Sequence, residues 1–386
     1  MKSRLLRATR YILRRLVVHY HNLTFWAPTR PTVLIQSDDW GRVGAPNLSD
    51  IEELKEDGYK VGDSKWDFYG LESEDDLESL SELLISVKDK DGSNAIMSAV
   101  FIMANADLEK IRQDDYKRFY GVSIDCGVPS PWTQNNLARK YKELVNKGVF
   151  FPALHGYTHF NPELLVSISA EDSERGLRTR AMHERDIPYL ASLTPEFNFA
   201  LCDRSNKDER CISNNDQLQW INKGVDIFKR MFGEMPFSTC PPGYRFSDYT
   251  CKLWRDIGIK VVHTAGGTIG YYNKLWVTPR NVMFEPFLYD NAFEAALLEA
   301  TVAIKKGYPI IISTHSINYI DRHLKYAEQG RKQLLRLLNE LKRRYPNLRF
   351  SNEKELFETW SSRNPSWWRR PNIKEIKRRF LGACRS

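Results

Sequence analysis

Apolar runs recur along the chain, each bounded by turn residues and most of them ending at a polar stop. They cover 32–37 (TVLIQS), 96–104 (IMSAVFIMA), 149–154 (VFFPAL), 236–240 (PFSTC), 259–263 (IKVVH) and 309–314 (PIIIST), with a short last run at 348–351 (LRFS). Short runs of this kind predict strands buried on both faces. Between them, apolar positions return at helical spacing, most clearly over 76–88, 133–147, 215–231, 292–306 and 324–344. Strands alternating with helices predict an α/β fold with a parallel sheet. The number of units, and the lack of a Gly-x-Gly-x-x-Gly after the first strand, favour a (β/α) barrel over a dinucleotide-binding sheet. Residues 42–75 and 186–214 fit neither pattern and are expected to hang over the barrel top as loops that shape access.

Four strand ends carry chemistry. The run TVLIQS stops at Asp38 and Asp39, VFFPAL at His155 and His159, PFSTC at Cys240 to Arg245, and PIIIST at His315. Residues of one (β/α) barrel scattered this widely meet at the C-terminal tips of the strands. On a helical turn, His155 and His159 would share one face and converge on an ion. Neighbouring strand residues face opposite ways, so Asp38 and Asp39 can act together only where the strand has ended. One of them can then complete a two-His, one-carboxylate set that leaves positions open for water and substrate. The other can accept a proton from water. His315 can protonate a leaving group. The prolines and glycine before Tyr244 make a rigid turn whose backbone N–H groups could meet a developing oxyanion, with Tyr244 and Arg245 beside the substrate. Each feature also has a plain structural reading: an Asp cap, a core histidine, an ordinary turn.

Taken in order, these residues resemble the polysaccharide deacetylase family, whose members carry an Asp-Asp motif, a His-x-x-x-His motif, an Arg-x-Pro-Tyr-type motif and a late His. The matches are Asp38-Asp39, His155/His159, Pro241 to Tyr244 and His315, over residues 31 to about 352. The resemblance implies a distorted (β/α) barrel of the glycoside hydrolase/deacetylase type. It implies Asp38 as general base, His315 as general acid, and Asp39, His155 and His159 as ligands of one divalent transition metal, with Zn²⁺ the expected ion. The chain departs from the pattern at SDDWG, in place of Thr-Phe-Asp-Asp-Gly, and in having Arg245 after the prolines rather than an arginine before them. An acidic partner that orients the base is sought in Glu285 or Asp203. The implied reaction is removal of an N-acyl group, acetyl first, from an amino sugar of a polysaccharide or lipid-linked glycan. Alternatives are hydrolysis of a non-sugar amide or of a glycosidic bond on the same barrel, and a non-catalytic glycan- or lipid-binding protein.

Composition adds a polarity between middle and ends. The chain has 386 residues, 42% hydrophobic and 27% charged, with net charge +8. Residues 1–30 hold seven Lys/Arg and no acid, and 361–386 hold eight Lys/Arg and one acid, which leaves residues 31–360 at −6. A mildly acidic body argues against a nucleic-acid groove. The economical division is a basic amphipathic segment (1–30), the barrel (31–360) and a basic Trp-containing segment (361–386). Leu5, Leu6, Ile12, Leu13, Leu16 and Val17 cluster on one side of a helix with arginines toward the other, and Trp367 and Trp368 neighbour Arg369 and Arg370. Both patterns suit an anionic membrane interface. No stretch reads as a transmembrane helix or signal peptide. Six cysteines without C-x-x-C spacing point to a reducing, cytoplasmic setting at the inner membrane face, with a Cys202–Cys211 bridge as the alternative in an exported protein.

Overall fold

The computed structural model describes residues 25–132, 136–197, 199–203, 210–266, 269–321, 323 and 325–383. The expected N-terminal interface helix lies outside them. One ten-stranded sheet forms the centre. Its strands are β1 (Thr32–Trp40), β2 (Met97–Ile102), β3 (Phe150–Gly156), β4 (Ser238–Thr239), β5 (Val261–Thr264), β6 (Gly270–Tyr272), β7 (Leu275–Pro279), β8 (Val282–Met283), β9 (Ile310–His315) and β10 (Arg349–Phe350). The order is β6-β7-β5-β4-β3-β2-β1-β9-β8, with β10 also on β1, and all neighbours are parallel except β6 and β7.

The sheet curls almost onto itself. Strand β7 pairs with β5 near one end of the order, while β8 pairs with β9 at the other. Only Arg280 and Asn281 separate β7 from β8 in the chain, and Arg280 N–H donates to Thr264 O while Asn281 N–H donates to Ile311 O. One short segment therefore stitches both edges of a distorted barrel. The seam strands β6 to β8 went unread in the sequence because they are short and interrupted by Asn273 and Pro279.

The predicted helices are found as α1 (Glu74–Ser86), α2 (Leu137–Asn146), α3 (Asn214–Phe232), α4 (Ala292–Lys305) and α5 (Ala327–Arg344). The first begins where Ser73 and Asp76 form a capping box that satisfies free N–H groups of the first turn. These helices bury leucine, valine and aromatic faces on the strands, and Trp40, Phe101 and Phe150 join the same core. The stretch 42–75, expected as loop, contains a helix at Leu48–Glu56. In 186–214 the described residues include a two-residue antiparallel ribbon pairing Cys202 with Cys211. Cys202 is disulfide-bonded.

The ends of the described chain meet. Ala27–Pro28 pairs antiparallel with Trp368–Arg369. Trp368 is buried against Phe25, and the Arg349 guanidinium sits 3.7 Å from the Trp367 ring centroid. The tryptophans expected at a membrane interface are thus drawn toward the body.

Candidate metal centre

Strand geometry brings the predicted stops together at the C-terminal rim. His315, the last residue of β9, lies in register with Asp38 on β1. Strand β1 does not end at Ser37 as expected. It runs on to Trp40, with a slip in register between Ser37 and Trp40 and with Asp39 at φ +72°. That left-handed residue breaks the alternation, so both carboxylates reach one cleft. The histidine pair also converges without a helix. His155 is inside β3, Gly156 turns the chain at φ +149°, and His159 follows in a bend. A Cβ at Gly156 would come within 3.3 Å of Thr158 O, so the turn needs glycine.

The two carboxylates have different partners. Asp38 takes a forked pair from Arg280, Nη1 to Oδ2 at 2.6 Å and Nη2 to Oδ1 at 2.5 Å. Burial raises the Asp38 pKa, but the Arg280 charge and hydrogen bonds outweigh it and hold the group down at about 2, with help from His155 and His315. Asp39 receives one arginine contact, Arg42 Nη1 to Oδ2 at 2.9 Å. Its Oδ1 instead faces His155 Nε2 at 3.0 Å and His159 Nε2 at 3.4 Å. Burial opposes ionisation of Asp39, yet His159, Arg42 and His155 keep it well below the carboxylate range.

Proton positions decide what Oδ1 can do. His155 Nδ1 lies 2.6 Å from Cys240 O, and a carbonyl can only accept, so Nδ1 carries a proton and Nε2 is the nitrogen turned toward Asp39 Oδ1. Burial and the nearby Arg42 push His159 well below its ordinary pKa. Asp39 Oδ1 is buried without a hydrogen-bond partner. An anionic oxygen and two imidazole Nε2 atoms pointed at one spot fit a divalent transition ion. The three ligand atoms lie within 4.8 Å of one another. The Cys240 O contact is of the kind that orients a histidine for metal binding. A second triplet, Asp38, His155 and Cys240, is also close together. It suits a cation poorly, because Arg280 holds both Asp38 oxygens and burial keeps the Cys240 thiol protonated.

His315 completes the group. Its Nδ1 is 2.7 Å from Glu285 Oε1, and its Nε2 faces Asp38 Oδ2 at 3.9 Å. Burial lowers its pKa, but Glu285 charge and hydrogen bonding win and raise it to about 9. Asn318 Nδ2 donates to the other Glu285 oxygen at 2.6 Å. Of the two acidic partners considered for the base, Glu285 bonds His315 rather than Asp38, whose oxygens are held by Arg280. The side chain of Asp203 lies outside the described residues.

In the turn at Pro242–Tyr244 one backbone N–H is already engaged. Tyr244 N–H donates to Pro241 O at 2.8 Å within the turn itself. The Tyr244 hydroxyl reaches the site instead, accepting from Arg280 Nη1 at 2.7 Å. Arg245 lines the cleft with its guanidinium 5.5 Å from the Phe199 ring centroid. The cleft measures about 790 Å³ with its mouth and is walled by Trp66, Tyr189 and Pro241 around the ionisable groups.

Sequence reading missed Arg280, Arg42, Trp66 and Tyr189. Arg280 was within reach, since it is another polar residue ending an apolar strand, LWVTP. Arg42 is held between the Tyr69 and Tyr189 rings at 4.3 and 4.6 Å, a contact between distant segments with no local signal.

No protein-family model and no curated protein sequence matches the chain. Solved structures do resemble it. A putative polysaccharide deacetylase from Mycobacterium smegmatis aligns over 88% of this chain and 96% of its own, at 10% identity and TM-score 0.43. The Xyl-CE4 domain of a multidomain xylanase, from the hindgut metagenome of Trinervitermes trinervoides, aligns over 86% and 92%, at 11% identity and TM-score 0.39. A CE4 family pseudoenzyme from Bacillus anthracis aligns over 85% and 66%, at 11% identity and TM-score 0.37. The similarity is one of fold.

Proposed function

We propose that the chain is a metal-dependent hydrolase that removes an N-acyl group, acetyl first, from an amino sugar of a glycan. One observation carries this reading: a buried Asp39 oxygen without a hydrogen-bond partner faces His155 Nε2 and His159 Nε2, beside a second carboxylate and the His315 imidazole. In the proposal, Asp39, His155 and His159 hold one divalent ion, with Zn²⁺ expected. Such an ion supplies Lewis acidity toward a water and an acyl carbonyl, bringing the water's pKa to about 7.

The chain's own groups do the rest. Asp38, ionised throughout the physiological range, receives a proton from the attacking water. Arg280 makes Asp38 a weak base, so it serves only for water acidified in this way. Water oxygen bonds to the acyl carbon, and the carbon–nitrogen bond breaks. His315 Nε2 gives its proton to the departing amine, while Glu285 holds Nδ1 and fixes the ring. Trp66 offers an apolar surface for a sugar ring at the cleft wall. The Cys202 disulfide favours an oxidising compartment for this work. No helix among the described residues is long and apolar enough to cross a membrane.

The test is acetate release from a panel of N-acetyl-hexosamine oligosaccharides with and without a chelator. The proposal expects release that the chelator stops and added Zn²⁺ restores. Release of reducing sugar without acetate would replace it with glycoside cleavage, and no hydrolysis on the panel would favour a binding protein.

A further inference from the structure

The last helix, α6 (Ile373–Ala383), turns its polar side inward. Glu375 and Arg379 are 6% and 4% exposed, while Ile373, Phe380 and Leu381 are 72%, 48% and 64% exposed. This inverts the usual surface helix, which hides its apolar stripe. The inward side is firmly held. Arg369 pairs with both Glu375 oxygens, Nη1 to Oε2 at 2.9 Å and Nη2 to Oε1 at 2.5 Å. Arg379 donates to Lys306 O at 2.7 Å, Gly307 O at 2.9 Å and Phe25 O at 2.6 Å. Charged hydrogen bonds to buried carbonyls fix which face looks out.

The outward face is apolar with a basic border. At 100° per residue, Ile373, Lys377 and Phe380 share its centre, and Lys374 and Leu381 lie at its edge. Arg378, exposed beside them, donates to Lys305 O at the end of α4. Leu298, Val302 and Lys305 repeat the pattern along α4, at spacings of four and three, and all are exposed. The chain before Phe25 adds Lys2, Arg4, Arg7, Arg10, Arg14 and Arg15 without an acid, and it joins the body where Arg379 holds the Phe25 carbonyl.

We infer that this face docks on an anionic phospholipid bilayer, with Ile373 and Leu381 entering the interface and Lys374, Lys377 and Arg378 meeting the headgroups. Charge complementarity selects this occupant. Each well-placed basic residue contributes about 1 kcal/mol near an anionic surface, and each large apolar side chain adds ~1.5–3 kcal/mol when fully removed from water. The face lies beside Phe25 and Gly307, which precede β1 and β9, so it sits at the N-terminal end of the strands. The cleft is at their C-terminal end, roughly 17 Å away for a strand of this length. The bound protein therefore presents its cleft away from the lipid, toward glycan that stands clear of the bilayer.

Vesicle flotation of the full chain tests the inference without reference to hydrolysis, so it stands or falls apart from the deacetylase proposal. Wild type is expected to float with phosphatidylcholine vesicles containing 30% phosphatidylglycerol (on the order of a third anionic lipid) and not with pure phosphatidylcholine. I373E with L381E, and separately K374E with K377E and R378E, should each cut binding at least about tenfold. Circular dichroism and light scattering should show both variants folded and of unchanged mass. Three outcomes would overturn the inference: no flotation of wild type, flotation untouched by both variants, or a wild-type dimer that I373E with L381E splits.

Discussion

The rim and the floor of the barrel both break the rule that charge faces water and oil faces the core, but in different ways. At the rim, buried ions are nearly all matched: Asp38 by Arg280, His315 by Glu285, one Asp39 oxygen by Arg42. The exception is the other Asp39 oxygen, set against two imidazole nitrogens. At the floor, the charges of α6 are also buried and matched, and the exception is an exposed apolar face. In each region the matched ions fix the geometry and the mismatch indicates the absent partner. A polar mismatch at the rim fits a cation, and an apolar one at the floor fits lipid.

Substitutions can separate these regions. The largest effect is expected for Arg280→Met, which leaves Asp38 buried without its cation. Stability should fall by ~3–5 kcal/mol in thermal or urea unfolding, and turnover should be lost with it. An unchanged melting point would mean the pair does not organise the rim. His315→Ala removes the proposed proton donor and should lower kcat ~10²–10⁴-fold with little change in melting temperature. A kcat within a factor of three (roughly 0.7 kcal/mol) would exclude His315 as the acid.

A pH effect is expected from Glu72. Burial raises its pKa to about 7 from 4.5, although Tyr141 hydroxyl and Gly41 N–H bond it. The folded state therefore holds a proton that the unfolded state loses between pH 4.5 and 7, so stability falls as pH rises through that window. The loss is about 3 kcal/mol when complete. Glu72→Gln should remove this slope and stabilise the protein at pH 8. Parallel melting-temperature curves for both proteins from pH 5 to 8 (roughly the span of the shift) would refute it. The smallest effect belongs to the floor. Arg379→Ala should cost ~2–3 kcal/mol and loosen α6 while leaving kcat on soluble substrate as it was. A loss of kcat would show the two regions coupled.

The sequence made the strands and the rim legible to different depths. Asp38, Asp39, His155 and His315 stood out because each ends or follows a buried apolar run, where a polar group needs a reason to be. His159 was tied to His155 by spacing, although the chain brings them together through the Gly156 turn rather than a helix. Arg280 follows an apolar run in the same way, but β7 is short and ends in proline, and only the fold shows that its partner is Asp38, 242 positions away. Arg42, Trp66 and Tyr189 act through contacts between loops, which leave no period in the chain. The floor was half legible. The basic ends were plain, but Trp368 proved to be core and the exposed face lies on Ile373 and Leu381. Which side of a helix faces out depends on Glu375 and Arg379 finding partners elsewhere.

The central claim is that Asp39, His155 and His159 bind a metal ion. Elemental mass spectrometry of purified protein, wild type against His159→Ala, tests it most directly. His159 Nδ1 is buried without a hydrogen-bond partner, so the substitution removes a ligand atom and no mapped structural bond of the ring nitrogens. Wild type is expected to hold about one transition-metal ion per chain, and the variant less than about a tenth of that, with matching circular dichroism. Equal metal in both proteins, or none in wild type after incubation with Zn²⁺, would contradict the account.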